Sequence, residues 1–145
     1  MKRRIFPATA LGLALACGLS LTPAMAQTKW DLAAAYPATN FHSENMAQLA
    51  SDVDKATGGK LKIQAFWGGA AGGDLPATQA LRAGTQEMVC TSSSPLVGIV
   101  KELGVFDLPF LFANEREADA VLDGPAGAYF NKKLEEAGLV NLAYW

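Results

Sequence analysis

Strand-like and helix-like segments alternate along the chain, and this alternation leaves few folds open to it. A short apolar run over 30–35 predicts a first strand that leads into a loop. Apolar residues at helical spacing predict a helix over 42–57, which either Asn40 or Ser43 caps. Strict alternation of apolar and polar residues then predicts a second strand over 60–66. Two strands joined through a helix are typical of a parallel pair.

The same alternation continues to the end of the chain. The remaining predicted elements are a helix over 75–83, a strand over 87–91, helices over 114–123 and 126–137, and a strand over 139–145. Asp74 is placed to cap the first of these helices, and Asn114 with Glu117 has the spacing of a capping box. This succession predicts an α/β fold whose parallel sheet has right-handed crossovers and helices on both faces. Because no turn, cap or polar tail follows the last strand, we expect a truncated domain.

The N-terminus has the pattern of a secretory leader. Basic residues at 2–4 precede an uncharged apolar run over 5–21, which ends in an Ala-Met-Ala triplet before Gln27. This pattern predicts a signal peptide over 1–26, cleaved before Gln27, and a periplasmic protein. Two alternatives are weaker: a membrane-spanning helix, for which the run is short and broken by prolines, and lipidation at Cys17.

The composition of the mature chain excludes several classes of protein. Nine basic and 14 acidic side chains remain after residue 26, a net charge of −5, which disfavours nucleic-acid binding. Cys90 is then the only cysteine, so no intrachain disulfide is possible and the fold must depend on its apolar core. A hydrophobic run over 105–112 is therefore expected to be buried, with a partner for Asp107 inside it.

Motifs for cofactors and metals are incomplete. The glycine-rich patch over 68–73 lies between a strand and a helix, but Asp74 and Leu75 stand where a phosphate-binding loop needs Lys and Ser or Thr. No glycine triple fits a dinucleotide-binding loop. His42 is the only histidine, which excludes a metal site with two histidines. The sequence predicts no cofactor and no metal.

Three functional classes remain open from the residues alone. The hydroxyl-rich segment 91–94 follows the third strand, where open α/β sheets bind ligands, and suits an oxyanion; the residues alone favour the alternative, a polar turn that caps the next helix. A secreted hydrolase would use Ser92 or Cys90 with His42, although the nucleophile elbow is absent and Cys90 lies in an apolar strand. A structural or adhesive module would bind no small molecule.

The mature sequence resembles the solute-binding proteins of tripartite ATP-independent periplasmic (TRAP) transporters, the dicarboxylate-binding family. The resemblance covers the whole mature chain and depends on segments 30–41, 59–66, 80–84, 104–112 and 121–124. It implies a type II periplasmic-binding-protein fold, of which this chain is the first lobe, over 27–145, with the second lobe missing. It also implies a receptor that is not an enzyme, which delivers an organic acid to the small and large permease subunits in the membrane.

The resemblance also implies which residues meet the ligand. They lie after the first strand, at the turn after the second, and at the end of the third: Tyr36, Thr39, Asn40, Phe41, Trp67, Thr91, Ser92 and Ser93. Trp67 either lines the cleft or packs beneath it. The family's main carboxylate anchor is an Arg on the second lobe, which neither Arg82 nor Arg116 matches. We therefore expect these 145 residues alone to bind weakly or not at all.

Overall fold

Three parallel strands form the centre of the computed structural model, which describes residues 27–144. The strands are β1 (Thr28–Ala34), β2 (Leu61–Phe66) and β3 (Met88–Cys90), in the order β2-β1-β3. The helices are α1 (Phe41–Ala56), α2 (Asp74–Arg82), α3 (Glu115–Leu122) and α4 (Pro125–Glu136), with 3₁₀ helices at Ser94–Leu96 and Lys101–Asp107. The predicted leader and Trp145 lie outside the described residues. Within 27–144, no helix combines the length and apolar character that crossing a membrane requires.

The sheet is centred on the apolar second half of β1. Leu32, Ala33 and Ala34 are buried, because β2 flanks them on one side and β3 on the other, with Leu32 opposite both Ala65 and Met88. From β1 the chain crosses to β2 on one side of it, and from β2 it crosses back past β1 to β3 on the other side. Right-handed crossovers therefore place α1 and α2 on opposite faces, as the sequence predicted. The carboxyl ends of all three strands meet at one edge.

The first helix begins and ends at local signals. Of the two candidate caps the structure selects Asn40, whose Oδ1 accepts a hydrogen bond from the amide of His42 at 3.0 Å. At the other end Gly58 and Gly59 adopt positive φ, and the Gly59 amide donates to the Asp54 carbonyl at 2.8 Å. Between these ends, Met46 packs with Leu32 and Met88 in a first core cluster beneath the sheet.

The prediction that Asp74 caps α2 is wrong. Gly73 is the N-cap, in an extended conformation, and Asp74 is the first residue of the helix, with no side-chain capping bond. The backbone of Asp74 is already helical, whereas a cap needs an extended backbone, as Gly73 has, for its side chain to reach the amides two and three residues on. The predicted capping box of α3 forms in part: Asn114 accepts from the Glu117 amide at 3.0 Å, whereas Glu117 accepts at 2.9 Å from the amide of Ala113, one residue before the cap.

A second core cluster joins the C-terminal helices to the 3₁₀ segment. It consists of Val100, Leu103, Phe130, Leu134 and Leu139, with Leu81 of α2 and Phe106 packed against it. The predicted burial of 105–112 is wrong for most of the segment: Phe106 and Phe112 are half-buried, none of its residues is fully buried, and Phe110 is fully exposed with a φ of 58°. A 3₁₀ helix followed by turns distributes its side chains around the segment, so one face cannot bury them all. Asp107 does have a partner, the hydroxyl of Ser94.

The predicted strand at the end of the chain is wrong over the described residues. From Leu139 to Tyr144 the backbone forms no ladder. Instead the Asn131 Oδ1 of α4 accepts hydrogen bonds from Asn141 Nδ2 at 3.0 Å and from the Tyr144 hydroxyl at 2.8 Å. Because β3 has only three residues, it offers few backbone groups with which a fourth strand could pair. The hydrogen bonds to Asn131 instead hold residues 139–144 against α4. A groove of about 490 Å³ remains along β3, bordered by Met46, Leu81 and Leu142.

Candidate functional site

The loops that follow the three strands converge at the carboxyl edge of the sheet. Backbone hydrogen bonds tie the first two together: the Gly68 amide donates to the Tyr36 carbonyl at 2.8 Å, and the Gly69 amide donates to the Ala34 carbonyl at 3.0 Å. Both glycines have positive φ, of 63° and 77°, which side chains rarely tolerate. The glycine-rich patch thus serves to bring the loop after β2 against the loop after β1.

Tyr36 is the polar centre of this edge. Burial raises the pKa of its phenol above the ordinary value of 10.0, the charges of Asp74 and Cys90 raise it further, and a side-chain hydrogen bond with Ser92 acts in the opposite direction. Groups from two other segments, Asp74 and the stretch 90–92, therefore act on one hydroxyl. A tyrosine phenol with the ordinary pKa of 10.0 is already protonated at neutral pH, and the raised pKa keeps it so; the hydroxyl can therefore donate a hydrogen bond to a ligand.

The eight residues expected to meet a ligand all lie on these loops or at the start of α1, but not all are free for that role. Tyr36 and Ser92 lie close enough for the Ser92 side chain to act on the pKa of the phenol. Asn40 uses its side-chain oxygen as the cap of α1. Trp67 packs against the first core cluster, which supports the packing alternative for it.

The other four differ mainly in exposure. Phe41 is 62% exposed and its ring lies 3.8 Å from that of His42, centroid to centroid. Thr91 donates to the Ser92 carbonyl at 3.3 Å, Ser93 is the N-cap of the first 3₁₀ helix without a side-chain capping bond, and Thr39 is exposed. These residues thus offer to solvent the hydroxyls of Thr39 and Ser92 and the ring of Phe41.

Asp74 belongs to the same edge, although the sequence assigned it only a capping role. Its Oδ1 is buried and has no hydrogen-bond partner among the described residues, while the residue as a whole is partly exposed. Its charge also raises the pKa of both Tyr36 and Cys90. The available signal was its position after a strand and a glycine-rich loop, which is where open α/β sheets bind ligands.

The arrangement does not favour a nucleophile. Burial, and then the charge of Asp74, raises the pKa of the Cys90 thiol, whereas a reactive cysteine needs a lowered pKa. Cys90 packs against the first core cluster as a small apolar side chain. The ring of His42 lies beside those of Tyr36 and Phe41, at centroid distances of 5.0 and 3.8 Å. The side chain of Ser92 acts instead on the pKa of Tyr36.

The edge also lacks a cationic side chain. The loops 35–41, 67–74 and 90–93 contain no Lys or Arg. Arg82 lies in the last turn of α2, where its Nε donates to the Ala137 carbonyl at 2.9 Å. Arg116 is exposed in the first turn of α3. The described residues therefore offer a ligand hydroxyl groups, an amide and one carboxylate, but no charged partner for an anion.

Comparison with known proteins gives a consistent result. The family model of the bacterial extracellular solute-binding proteins, family 7, matches residues 32–145. A solute-binding protein of Verminephrobacter eiseniae is 38% identical over 96 residues, which are 66% of this chain and 29% of that protein.

Solved structures agree with this match. The sugar acid binding protein DctPAm of Advenella mimigardefordensis, in complex with galactonate, is similar with a TM-score of 0.80 and 37% identity, covering 82% of this chain and 38% of that one. A TRAP periplasmic solute binding protein of Sulfurospirillum deleyianum, with bound succinate, has a TM-score of 0.78 and 28% identity, covering 83% of this chain and 39% of that one. The chain thus spans well under half the length of these relatives.

Proposed function

The chain belongs to the bacterial extracellular solute-binding proteins of family 7, and on that premise we propose that it captures a small organic acid outside the cytoplasm for a TRAP transporter. The match to the family over residues 32–145 carries the proposal. The site supports it, because three loops bring polar groups to the edge where sheets of this kind bind ligands. The relatives with bound galactonate and succinate make a carboxylate the ligand class to test first.

We further propose that residues 27–145 form the first lobe of a two-lobed receptor. The similar solved chains are much longer, and this chain covers 38% and 39% of them. Since the edge has no cationic side chain of its own, a carboxylate needs a partner from a second lobe, and closure of two lobes would also exclude water. The 145-residue chain alone is then a weak binder.

Calorimetry tests both statements together. Dicarboxylates, keto acids and sugar acids are titrated into the mature 27–145 chain and, separately, into the complete polypeptide that the gene encodes. The proposal expects one of these acids to bind the complete polypeptide and the same acid to bind the 27–145 chain at least about 100-fold more weakly. Tight binding by the 27–145 chain would refute the two-lobe statement, and no binding by either would refute the receptor function.

Export follows from the leader and from the family. We propose that residues 1–26 are removed before Gln27, that the mature protein acts in the periplasm, and that it delivers its ligand to the membrane subunits of the transporter. Mass spectrometry of the protein recovered from the periplasm should give a chain that begins at Gln27. Retention of the leader in the membrane fraction would contradict this. Pull-down of ligand-loaded receptor with the permease subunits tests the delivery step.

The receptor is proposed to make or break no bond. The raised pKa of the Cys90 thiol and its packing against the first core cluster support this over a hydrolase. Replacing His42 with Ala separates the two functions, because a receptor should keep its ligand affinity within a few-fold whereas a hydrolase should lose turnover. Turnover of any ester or amide substrate that disappears in H42A would overturn the proposal.

A further inference from the structure

We infer that Gln86 is a positioning residue for the binding site, because its side chain bridges β1 and β3 and thereby fixes where the segment after β3 lies. This inference rests on the proposed function, in which that segment, 91–93, meets the ligand. Gln86 lies at the opposite end of β3 from the segment. It therefore acts through the strand and not by contact with the ligand.

The amide of Gln86 joins the two strands directly. Its Nε2 donates a hydrogen bond to the Asp31 carbonyl of β1 and another, at 3.3 Å, to the Met88 carbonyl of β3. Gln86 is one of the few buried polar residues in the part of the chain that the structure describes, and a buried amide must find partners. A side-chain amide carries two N–H donors, which is what a bridge between two carbonyls requires.

Glu87 completes the contact from the next position. Its Oε2 accepts a hydrogen bond from the Asp31 amide at 2.9 Å. The amide and the carbonyl of one strand residue point toward the same neighbouring strand, so side chains take both of the groups by which Asp31 could pair with β3. Backbone pairing between the two strands begins one residue later, at Leu32 and Met88. The two side chains therefore extend a very short ladder.

The shortness of β3 makes this extension important for the site. The strand is held to β1 by three residue pairs: Leu32 with Met88, Ala33 with Val89, and Ala34 with Cys90. A slip of one residue moves a strand by about 3.3 Å and turns each side chain to the other face. Because segment 91–93 follows directly after β3, such a shift would displace the expected ligand contacts as well. The bonds of Gln86 and Glu87 to Asp31 oppose it, since they form in one register only.

The consequence for binding concerns the population of molecules with a competent site. The apparent affinity for a ligand falls in proportion to the fraction of the protein in which the site is correctly formed. Without the bridge, β3 is displaced or detached from β1 for part of the time, and segment 91–93 is then out of place. Loss of the bridge should therefore weaken binding although the residues that meet the ligand are unchanged.

An isosteric substitution tests the bridge through its pH dependence. In Q86E the side chain has no proton to donate to the two carbonyls at pH 7.5, whereas the protonated acid regains one donor. The ordinary pKa of a Glu side chain is about 4.3, and burial together with the neighbouring carboxylate of Glu87 raises it at this position. The complete polypeptide that the gene encodes is titrated by calorimetry with the panel of acids, galactonate and succinate first, at pH 7.5 and pH 5. Each variant is compared with the wild-type protein at the same pH.

We expect Q86E to bind about 10-fold more weakly than the wild-type protein at pH 7.5 and to recover to within about 3-fold of it at pH 5. Q86M has a similar size but no donor, so it should bind weakly at both pH values. Q79E is the matched control: it makes the same change at an exposed position of α2 and should equal the wild-type protein at both. Far-UV circular dichroism checks folding.

Hydrogen exchange checks the position of the segment without a ligand. In Q86E at pH 7.5 the amides over 88–93 should exchange faster than in the wild-type protein, while those of β2 keep their rates. Glu87 is exposed, so its variants provide a second test that disturbs no core packing. E87A should accelerate the same amides, whereas E87Q keeps an acceptor for the Asp31 amide and should not.

Two sets of results would overturn the inference and leave the receptor function intact. One is a Q86E affinity that equals the wild-type value at pH 7.5, or that is lowered equally at both pH values, because a loss independent of pH reflects packing alone. The other is unchanged exchange over 88–93 in both Q86E and E87A. Failure of the wild-type protein to bind any acid of the panel would refute the proposed function, and the inference with it.

Discussion

Replacing Gly127 with Ala should strongly destabilise the fold, because this residue of α4 lies directly against the backbone of the last residue of α3. A Cβ built on Gly127 would lie 1.6 Å from the Leu122 carbonyl oxygen and 2.7 Å from the Leu122 carbonyl carbon. Both are backbone atoms, so no side-chain rotation can relieve the overlap. The turn between the helices would have to open by roughly 1.5–2 Å to reach normal van der Waals separation.

The structure sets the size of the effect. Overpacking a core costs about 1–3 kcal/mol where side chains can adjust, and here the obstacle is backbone, so we expect a loss of about 3 kcal/mol or more. That is a large part of the roughly 5–15 kcal/mol by which a domain is stable. Opening this turn also displaces α4, whose Phe130 and Leu134 belong to the second core cluster. The loss should therefore appear as global unfolding.

Urea denaturation followed by far-UV circular dichroism measures this free energy of unfolding. Gly98 provides the matched control, because a Cβ there would meet nothing within 4 Å and its φ is not in the left-handed region. Gly98→Ala should be neutral or stabilise by up to about 1 kcal/mol, since alanine restricts the unfolded chain. A free energy of unfolding for G127A within about 0.5 kcal/mol of the wild-type value would show that the close approach of α3 and α4 does not exist.

Three further outcomes follow from single contacts. Asn131→Ala removes the side-chain oxygen that accepts hydrogen bonds from Asn141 and Tyr144, so amide hydrogen exchange over 139–144 should accelerate while exchange in β1 stays slow. Equal exchange rates over 139–144 in the wild-type protein and in N131A would show that these bonds do not hold the segment. The Cys90 thiol, whose pKa burial raises, should react with a thiol reagent at pH 8 more slowly than the unfolded chain does, and an equal rate would speak against its packing. The raised pKa of Tyr36 means that the folded protein holds this proton more tightly than the unfolded chain does. Its contribution to stability is fully present below pH 10.0, the ordinary value, and is lost as pH rises through the folded pKa. Spectrophotometric titration should therefore show one fewer late-ionising tyrosine in Y36F, and an unchanged curve would refute this.

Elements with local signals were predicted well. Asn40 and the Gly58–Gly59 pair define the ends of α1 through hydrogen bonds to residues only a few positions away, and the Asn114–Glu117 box works in the same way for α3. The alternation over β2 likewise predicts which side chains face the core, because a strand presents successive residues to opposite faces. The eight expected ligand contacts all lie near the carboxyl edge, and their role in binding stays a prediction.

Features that depend on distant partners were not predictable in the same way. Asp74 is of a residue type that often caps helices, but Gly73 is the cap of α2 and Asp74 is the first residue of the helix. Tyr36, whose pKa the charge of Asp74 raises, comes from a loop far away in the sequence. The apolar segment after Gly138 has a strand-like composition, yet three residues of β3 offer it little to pair with and Asn131 holds it elsewhere. Phe110 is apolar and fully exposed, because burial requires a facing surface as well as a hydrophobic side chain.

The sequence by itself determined the order of the elements from β1 to α4, the caps of α1 and α3, the parallel sheet and the edge at which the loops meet, because periodicity and capping act over a few residues. Only the tertiary structure decided which side chains share that edge. It brought Tyr36 within range of the charge of Asp74, packed Trp67 against the first core cluster, and bound the last segment to α4. These contacts join separate segments, and their free energies depend on burial and on charges that no single segment contains.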